Sequence, residues 1–471
     1  MLKIIIMAIV FFTLGFGQID WQIEVVDSMY TSDGGIGWAS LRLDSLNRPQ
    51  IVYYQQFGWN EPNWVKLLYL YKTDTGWIKE TVDSSYGNVS VNYYIRPSLY
   101  LDRDDHPHIA YVHRYEDNSC SLYYASKVND VWSLQILDGM PYPGSSSKLY
   151  LDTTGYPCIV WGYRTPADTI WRIKYIHWDG GSWNSEIVYD GNDYWDFGAS
   201  LIIDGKNHPH IAYYEKGDSN LVKYTYWDGT DWIFMEIDEG WSEHGSLWLG
   251  LNDLDYPVIG YCKWPALYCA YYDGSFWHNE FTGDAGSWEI RLCLDSFGLP
   301  HIVYVDQMGQ RPEYCYRDSL TWYLCGYIEP DPDAMTYRSV SFCLDGNDNP
   351  YVAYMTSGPG NCYRLKYAKG TFTGIAENKK SNPKPKEYRL RVYPDIISCY
   401  LNIEYTLLMK GKIELALYDI AGIRVKMIEQ GFYLPGDYQK MVEIGNLAGG
   451  VYFIVLKQND KQVSEKFLLI R

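Results

Sequence analysis

Apolar and polar positions alternate along most of this chain with a period of two, in short runs broken by turn-forming residues. One stretch shows the arrangement. Leu149-Tyr150-Leu151-Asp152 ends an apolar segment on a carboxylate, and Pro157-Cys158-Ile159-Val160-Trp161 opens a second. Arg172-Ile173-Lys174-Tyr175-Ile176-His177-Trp178 alternates as a third. After Asp179-Gly180-Gly181-Ser182 comes a fourth, Trp183-Asn184-Ser185-Glu186-Ile187-Val188. Alternation predicts half-buried strands, and Asp-Gly predicts a hairpin turn.

The unit recurs. Seven times a short apolar segment ends in Asp or Asn with Pro five residues later: Asp44/Pro49, Asp102/Pro107, Asp152/Pro157, Asp204/Pro209, Asn252/Pro257, Asp295/Pro300 and Asp345/Pro350. The prolines lie 43 to 58 residues apart, a period that implies a solenoid, an array or a propeller. Four strands in about 50 residues match one propeller blade. Fourth strands begin at Trp77, Trp132, Trp183, Trp232, Trp277 and Trp322, one short of seven. The missing one stands at the start, where Trp21-Gln22-Ile23-Glu24-Val25-Val26-Asp27 resembles Trp77-Ile78-Lys79-Glu80-Thr81-Val82-Asp83. An N-terminal strand that completes the last blade closes the ring and removes open sheet edges. An open solenoid would instead need capping repeats at both ends. The expected fold is all-β: a seven-bladed β-propeller of four-stranded blades over 18–376, closed by the N-terminal strand. A polar, Pro-containing linker over 377–387 and a small β-sandwich over 388–471 follow, the latter from alternating runs at 401–405, 413–418 and 451–456.

Composition sharpens this picture. Aromatics make up 17% of the chain, with 47 Tyr and 19 Trp, which suits many short strands. Lys3 followed by the apolar run 4–14 and the small residues Gly15 and Gly17 reads as a cleaved signal peptide over 1–17. That run is short for a membrane span of ~20 residues, and no charged stop-transfer pattern follows it; no transmembrane segment is expected in the mature protein. Net charge is −18, concentrated in 18–376, where 24 Lys/Arg face 47 Asp/Glu. That field repels nucleic acid and anionic lipid, so neither is an expected partner. Ten cysteines in an exported chain permit disulfides, but Cys158, Cys293 and Cys343 fall in strand-like runs where a thiol packs as a small apolar group.

The C-terminal residues carry a resemblance. Tyr393-Pro394, Leu417-Tyr418-Asp419-Ile420-Ala421-Gly422-Ile423-Arg424-Val425, Leu434-Pro435-Gly436-Asp437-Tyr438, Leu447-Ala448-Gly449-Gly450-Val451-Tyr452-Phe453 and the terminal Lys466 to Arg471 occur in the order found in type A C-terminal sorting domains of the type IX secretion system. The sequence departs from that family where Asp395 replaces the usual Asn-Pro and where Ile423 splits a Gly-Arg pair. The resemblance implies export across the outer membrane, with the secretion machinery as partner, for release or surface attachment.

Candidate chemistry is sparser. His106, His108, His208, His210 and His301 flank the repeat prolines, and their recurrence in register points to repeat architecture rather than a metal ring. No metal, cofactor or catalytic residue is expected. The repeat Asp is expected to accept backbone N–H bonds within its own turn, and the same reading covers Asp345-Gly346-Asn347-Asp348-Asn349 despite its calcium-like spacing. The turns Asp228-Gly229-Thr230-Asp231-Trp232 and Asp273-Gly274-Ser275-Phe276-Trp277 are similar to the Asp-box of sialidases, without its full spacing. On the opposite face, inter-blade loops carry Trp38, Tyr94, Arg96, Trp195, Trp241, Trp288, Tyr337 and Arg338. Rings beside Arg and acids can hold sugars, so these eight are the candidate ligand-binding set. The expected function is binding of an extracellular glycan or protein; the alternatives are a sialidase-like or other glycoside hydrolase, and a structural surface protein.

Overall fold

A computed structural model describes residues 18–373 and 389–469, apart from positions 59–62, 88–95, 116–118, 141–146, 165–169, 192–198, 216–219, 241–246, 264–265, 286, 307–309, 319–320 and 359–360 in the first stretch and 394–395, 398–399, 408–410, 421, 434–435, 445–446 and 459–460 in the second. The proposed signal peptide and linker lie outside the described residues. Every described element is a strand. The chain divides into two compact units, the main division falling after Thr373.

The first unit holds seven four-stranded antiparallel sheets among the described residues. Their first strands are Gly34–Leu43, Ser98–Leu101, Ser147–Leu151, Ser200–Ile203, Leu247–Leu251, Ser287–Leu294 and Met335–Leu344. Every second strand opens on a repeat proline, from Pro49 to Pro350. Proline fits there because the first residue of a strand has no ladder bond to donate. The N-terminal strand Gln18–Tyr30 is the fourth strand of the last sheet. It pairs antiparallel with Cys362–Thr373, from Gln18 opposite Thr373 to Tyr30 opposite Cys362.

The repeat Asp or Asn builds one turn seven times. In each, its Oδ1 accepts the backbone N–H of the second and fourth residues that follow, at 2.7–3.1 Å. The third residue after it has positive φ, between 59° and 91°, and is always Asn, Asp or Gly: Asn47, Asp105, Gly155, Asn207, Asp255, Gly298 and Asp348. Those residue types tolerate the left-handed region at least cost. Three of these residues also join neighbouring turns. Asp105 accepts the N–H and hydroxyl of Ser45, Asn207 those of Thr153, and Asp348 those of Ser296. The Asp-Gly hairpins are local turns of the same kind: Asp228 Oδ1 accepts from Thr230 and Asp231, and Asp273 Oδ1 from Ser275 and Phe276.

Seven apolar clusters fill the spaces between sheets, one for each adjacent pair. The cluster around Leu41, Ile51 and Tyr53 includes Tyr351, Leu365 and Tyr367, so the first sheet packs against the last. Each fully buried side chain of this size adds about 1.5–3 kcal/mol to stability. A polar ladder runs outside the clusters. The indole N–H of Trp77, Trp132, Trp183 and Trp322 donates to Glu24, Glu80, Gln135 and Glu280 at 2.8–3.1 Å. Each acceptor stands three residues beyond the matching Trp of the neighbouring sheet, and Glu24 belongs to the N-terminal strand. The nine described cysteines are free thiols, most of them in buried strand positions.

The histidines serve the repeat. His108, His210 and His301 each place Nδ1 on a tyrosine of the same sheet, Tyr124, Tyr224 and Tyr314, and Nε2 3.4–3.5 Å from the repeat carboxylate, Asp102, Asp204 and Asp295. Asp102, Asp104 and His106 present ligand atoms within 4.8 Å of one another. There the Asp102 carboxylate is engaged by the N–H of Asp104 and His106 and by His106 Nδ1 at 3.1 Å.

The second unit is a sandwich. One sheet orders Arg389–Tyr393, Tyr400–Leu407 and Gly436–Glu443; the other orders Ile396–Ile397, Lys461–Leu469, Gly450–Gln458, Gly411–Asp419 and Arg424–Tyr433. Leu401, Ile403, Leu415, Leu417, Ile454, Leu456 and Phe467 form its core. Asp419 accepts the N–H of Ile423 at 2.9 Å across a turn in which Gly422 has φ 76°.

Two outcomes follow from the turns. Asp152→Ala removes the acceptor of two backbone N–H groups and should cost about 1–3 kcal/mol in denaturant unfolding. Burial holds His108 and His210 below the usual histidine range, against the raising effect of Asp102 and Asp204. The unfolded chain therefore takes up protons first as pH falls through about 6.5, and stability drops from pH 7 towards 5. Urea unfolding of the His108→Gln/His210→Gln double variant should show a shallower decline over that window.

Candidate functional site

Because the turn is identical in length in all seven repeats, residues counted back from its Asp or Asn occupy equivalent places. Four positions before it stand Ser40, Ser98, Lys148, Ser200, Trp248, Arg291 and Ser341. The serines have a shared task. Ser40, Ser98, Ser200 and Ser341 accept the backbone N–H of Leu99, Leu149, Leu249 and Leu41, each on the next first strand, at 2.8–3.1 Å. Three repeats give up that bond and carry Lys148, Trp248 and Arg291 instead.

These three side chains meet, although they come from the third, fifth and sixth sheets. Lys148 Nζ lies 4.4 Å from the centroid of the Trp248 ring, and the Arg291 guanidinium 4.6 Å from it. Two positions further back, Arg96 from the second sheet spans to Glu289 of the sixth by a hydrogen bond of 3.2 Å to Oε1 and an ion-pair contact of 3.1 Å to Oε2. Arg291 pairs with the same Oε1 of Glu289 that accepts from Arg96, and donates to Ile290 O at 2.8 Å. Arg96 also stacks on Trp38, 4.1 Å from the ring centroid. Two positions nearer the turn, Arg42 lies 5.4 Å from the Tyr100 ring, which packs 4.7 Å from that of Tyr150. The first strands thus converge on one cluster of four cations and two indoles, with Glu289 as its only carboxylate among the described residues.

Burial grades across the cluster. Glu289 is 0% exposed, Arg291 5% and Arg96 7%, whereas Lys148, Trp248, Arg42, Tyr100 and Tyr150 keep part of their surface accessible. Burial, followed by the nearby Arg291, Arg96 and Arg42, pushes the Lys148 amine well below the usual lysine range, against Glu289. Burial likewise lowers Arg291 to about 10, with Glu289 opposing. Arg, Lys and Trp side chains are donors without acceptor capacity, so the site offers N–H groups and positive charge.

The eight residues expected from the sequence distribute unevenly. Trp38 and Arg96 come together here. Trp288 belongs to the strand Ser287–Leu294, and Tyr337 and Arg338 to Met335–Leu344. Tyr94, Trp195 and Trp241 lie outside the described residues. The expectation that the set sits in inter-blade loops is corrected for four of its members. Trp38, Trp288, Tyr337 and Arg338 fall where the first strands break register with their partners, between Ile36 and Ala39, Ser287 and Ile290, and Thr336 and Val340. Such bulges re-aim side chains and concentrate beside functional sites. Lys148, Trp248, Glu289, Arg291 and Arg42 were not singled out from the sequence. Their signal was there at Lys148, Trp248 and Arg291, as departures from the repeat's own serine.

A second concavity of about 380 Å3 lies between the first and second sheets, lined by Asp44, Arg48, Tyr71, Lys72, His106 and Lys127. Its cations are compensated: Arg48 by Asp44 at 2.7 Å, Lys72 by Glu24, and Lys127 by Glu80 at 2.8 Å. In the converging cluster Arg96 and Arg291 share Glu289 while Lys148 and Arg42 have no carboxylate partner among the described residues, and it is the stronger candidate.

Residues 391–470 match the secretion system C-terminal sorting domain family. The chain carries a type IX sorting domain, which indicates secretion or export to the outer surface. No described helix is long and apolar enough to cross a membrane. No curated protein matches the chain. Among solved structures it is similar to PorZ, a surface component of the type IX secretion system of Porphyromonas gingivalis, at 13% identity over 92% of this chain and 59% of that one, TM-score 0.41. It is also similar to an α-L-arabinanase of Penicillium chrysogenum, at 10% identity over 75% and 98% of the two chains, TM-score 0.45. The SapL1 lectin matches at 13% identity over 64% and 98%, TM-score 0.41. At these scores the likenesses carry no argument about a ligand.

Replacing Lys148 by Met removes a cation from among three others and should raise the melting temperature, by about 1–3 °C on the usual scale for domains of this size. Glu289→Gln leaves two guanidiniums facing each other and should cost about 3–5 kcal/mol. Thermal and denaturant unfolding at neutral pH check both signs.

Proposed function

We propose that residues 18–376 form a closed seven-bladed β-propeller that, once exported, binds an oxygen-rich extracellular ligand, a glycan, where its first strands converge. Closure is supported by three sets of contacts between the last sheet and the first: Ser339 and Ser341 accept from Ala39 and Leu41, Trp77 donates to Glu24, and an apolar cluster spans both sheets. Residues 1–17 serve as a cleaved signal peptide, 377–387 as a linker and 388–471 as the sorting domain that engages the secretion machinery.

The observation that carries the ligand reading is the donor-rich cluster of Arg42, Arg96, Lys148, Arg291, Trp38 and Trp248. Groups that only donate hydrogen bonds need acceptors, and a sugar presents an oxygen able to accept on nearly every carbon. Tyr100 and Tyr150 add half-buried aromatic surface. A glycoside hydrolase working through a carboxylate pair needs two acids across the scissile bond. The cluster offers Glu289 alone among its described residues, held between two guanidiniums, which favours binding over cleavage.

Two measurements test this reading. Deleting residues 388–471 should leave the chain in the periplasm, while the full chain reaches the surface or medium, as cell fractionation would show. On a glycan array the full chain should bind a defined subset of sugars, and Trp248→Ala should lower that signal at least about fivefold, the loss of one aromatic contact of about 1 kcal/mol. Signal at background across the array would sink the glycan reading.

A further inference from the structure

The charge of the converging cluster runs against the charge of the protein. Across a unit with 24 Lys/Arg against 47 Asp/Glu, the first strands gather Arg42, Arg96, Lys148 and Arg291 around one carboxylate. Carboxylates are plentiful elsewhere. Lys72, Lys127, Lys174, Lys263, Arg317 and Lys366 each have one within 3.3 Å. In the cluster, Glu289 serves Arg96 and Arg291 together, and neither Lys148 nor Arg42 has a carboxylate partner among the described residues. Lys148 and Arg291 share one indole, which brings two like charges onto a single ring.

A confined group of cations with too few anions is unstable unless something neutralises it. The repeat offered a neutral alternative. Serine at the same position bonds the next strand in four sheets, so lysine at 148 and arginine at 291 replace a bond the architecture uses elsewhere. Both replacements meet on the Trp248 ring, and Lys148 and Arg42 are the cations that stay partly accessible. Arg96 and Glu289, fully engaged with each other beneath them, fix the position of Arg291.

We infer that this cluster is a receptor for the carboxylate of an acidic sugar, with Lys148, Arg42 and Arg291 supplying the countercharge. The inference rests on the glycan reading for the sugar, and for the carboxylate on Lys148 and Arg42, which have no carboxylate partner among the described residues. Lys148 and Arg42 reach the ligand's charge directly; Arg291 is held by Glu289 and contributes its field and its remaining N–H groups. The tyrosine rings beside Arg42 cover the sugar's carbon skeleton.

The test uses the full chain with three probes at matched ionic strength: D-glucuronate, D-glucose and acetate, followed by saturation-transfer NMR and thermal unfolding. D-glucuronate should bind saturably, raise the melting temperature and be displaced by acetate, while D-glucose binds at least about tenfold more weakly, the loss of one charge-assisted contact. Lys148→Met and Arg42→Gln should each weaken D-glucuronate about tenfold, and Lys148→Arg should restore most of it. Lys148→Met is expected to fold at least as stably as the parent, so its loss of binding is not a loss of fold. Equal binding of D-glucose and D-glucuronate, unchanged in Lys148→Met, would overturn the carboxylate site while leaving a glycan site standing. Saturable acetate binding without D-glucuronate binding overturns the acidic-sugar site, while the glycan reading stands or falls on the array. Failure of all three probes overturns the inference outright.

Discussion

Everything in the first unit depends on one side-chain oxygen used seven times. The Oδ1 of the repeat Asp or Asn holds two backbone N–H groups and so fixes the length and shape of the turn between the first two strands of each sheet. A one-residue slip in a strand turns every side chain to the other face. With the turn fixed, Leu41, Leu99, Leu149, Leu201, Leu249 and Leu292 all point into the clusters between sheets, and the residues before them all point the other way. The convergence of first-strand residues is a consequence of that register.

Much of this was legible in the sequence because it is repeated. The Asp-to-Pro spacing, the Trp at each fourth strand and the match of Trp21 to Trp77 are periodic, so every copy strengthens the others. Three things were harder to read. The left-handed residue in each turn is Asn, Asp or Gly by turns, and alternation among three types hides the constraint they share. The bulges at Trp38, Trp288 and Tyr337 interrupt alternation at strand ends, where a bulge and a loop look alike along the chain. The pairing of Arg96 with Glu289 joins residues 193 apart, and no local pattern announces a contact made at such a separation. The site residues that the sequence missed are the ones that depart from the repeat, while attention to the repeat itself favours the ones that obey it.

The cluster also shows how a repeat architecture can host a specific site without new elements. Four serines maintain the strand-to-strand bonds while three positions are released to carry other chemistry. The released positions lie next to buried apolar layers, and Trp248 itself packs against one of them, so the sheets tolerate a locally unfavourable concentration of cations. Stability resides in the clusters between sheets, and the proposed binding chemistry in a few first-strand positions.

The N-terminal strand has one more implication. Gln18 pairs with Thr373, at opposite ends of the first unit, and its Glu24 receives the indole of Trp77. Six sheets are each built from a contiguous piece of chain and can form as soon as that piece is available. The seventh must wait for both ends. Pairing at such sequence separation is slow, since loop closure comes before the contacts that reward it. A polypeptide headed for export gains a margin from this: its last sheet stays open, and its first strand stays unclaimed, until nearly the whole unit has been made.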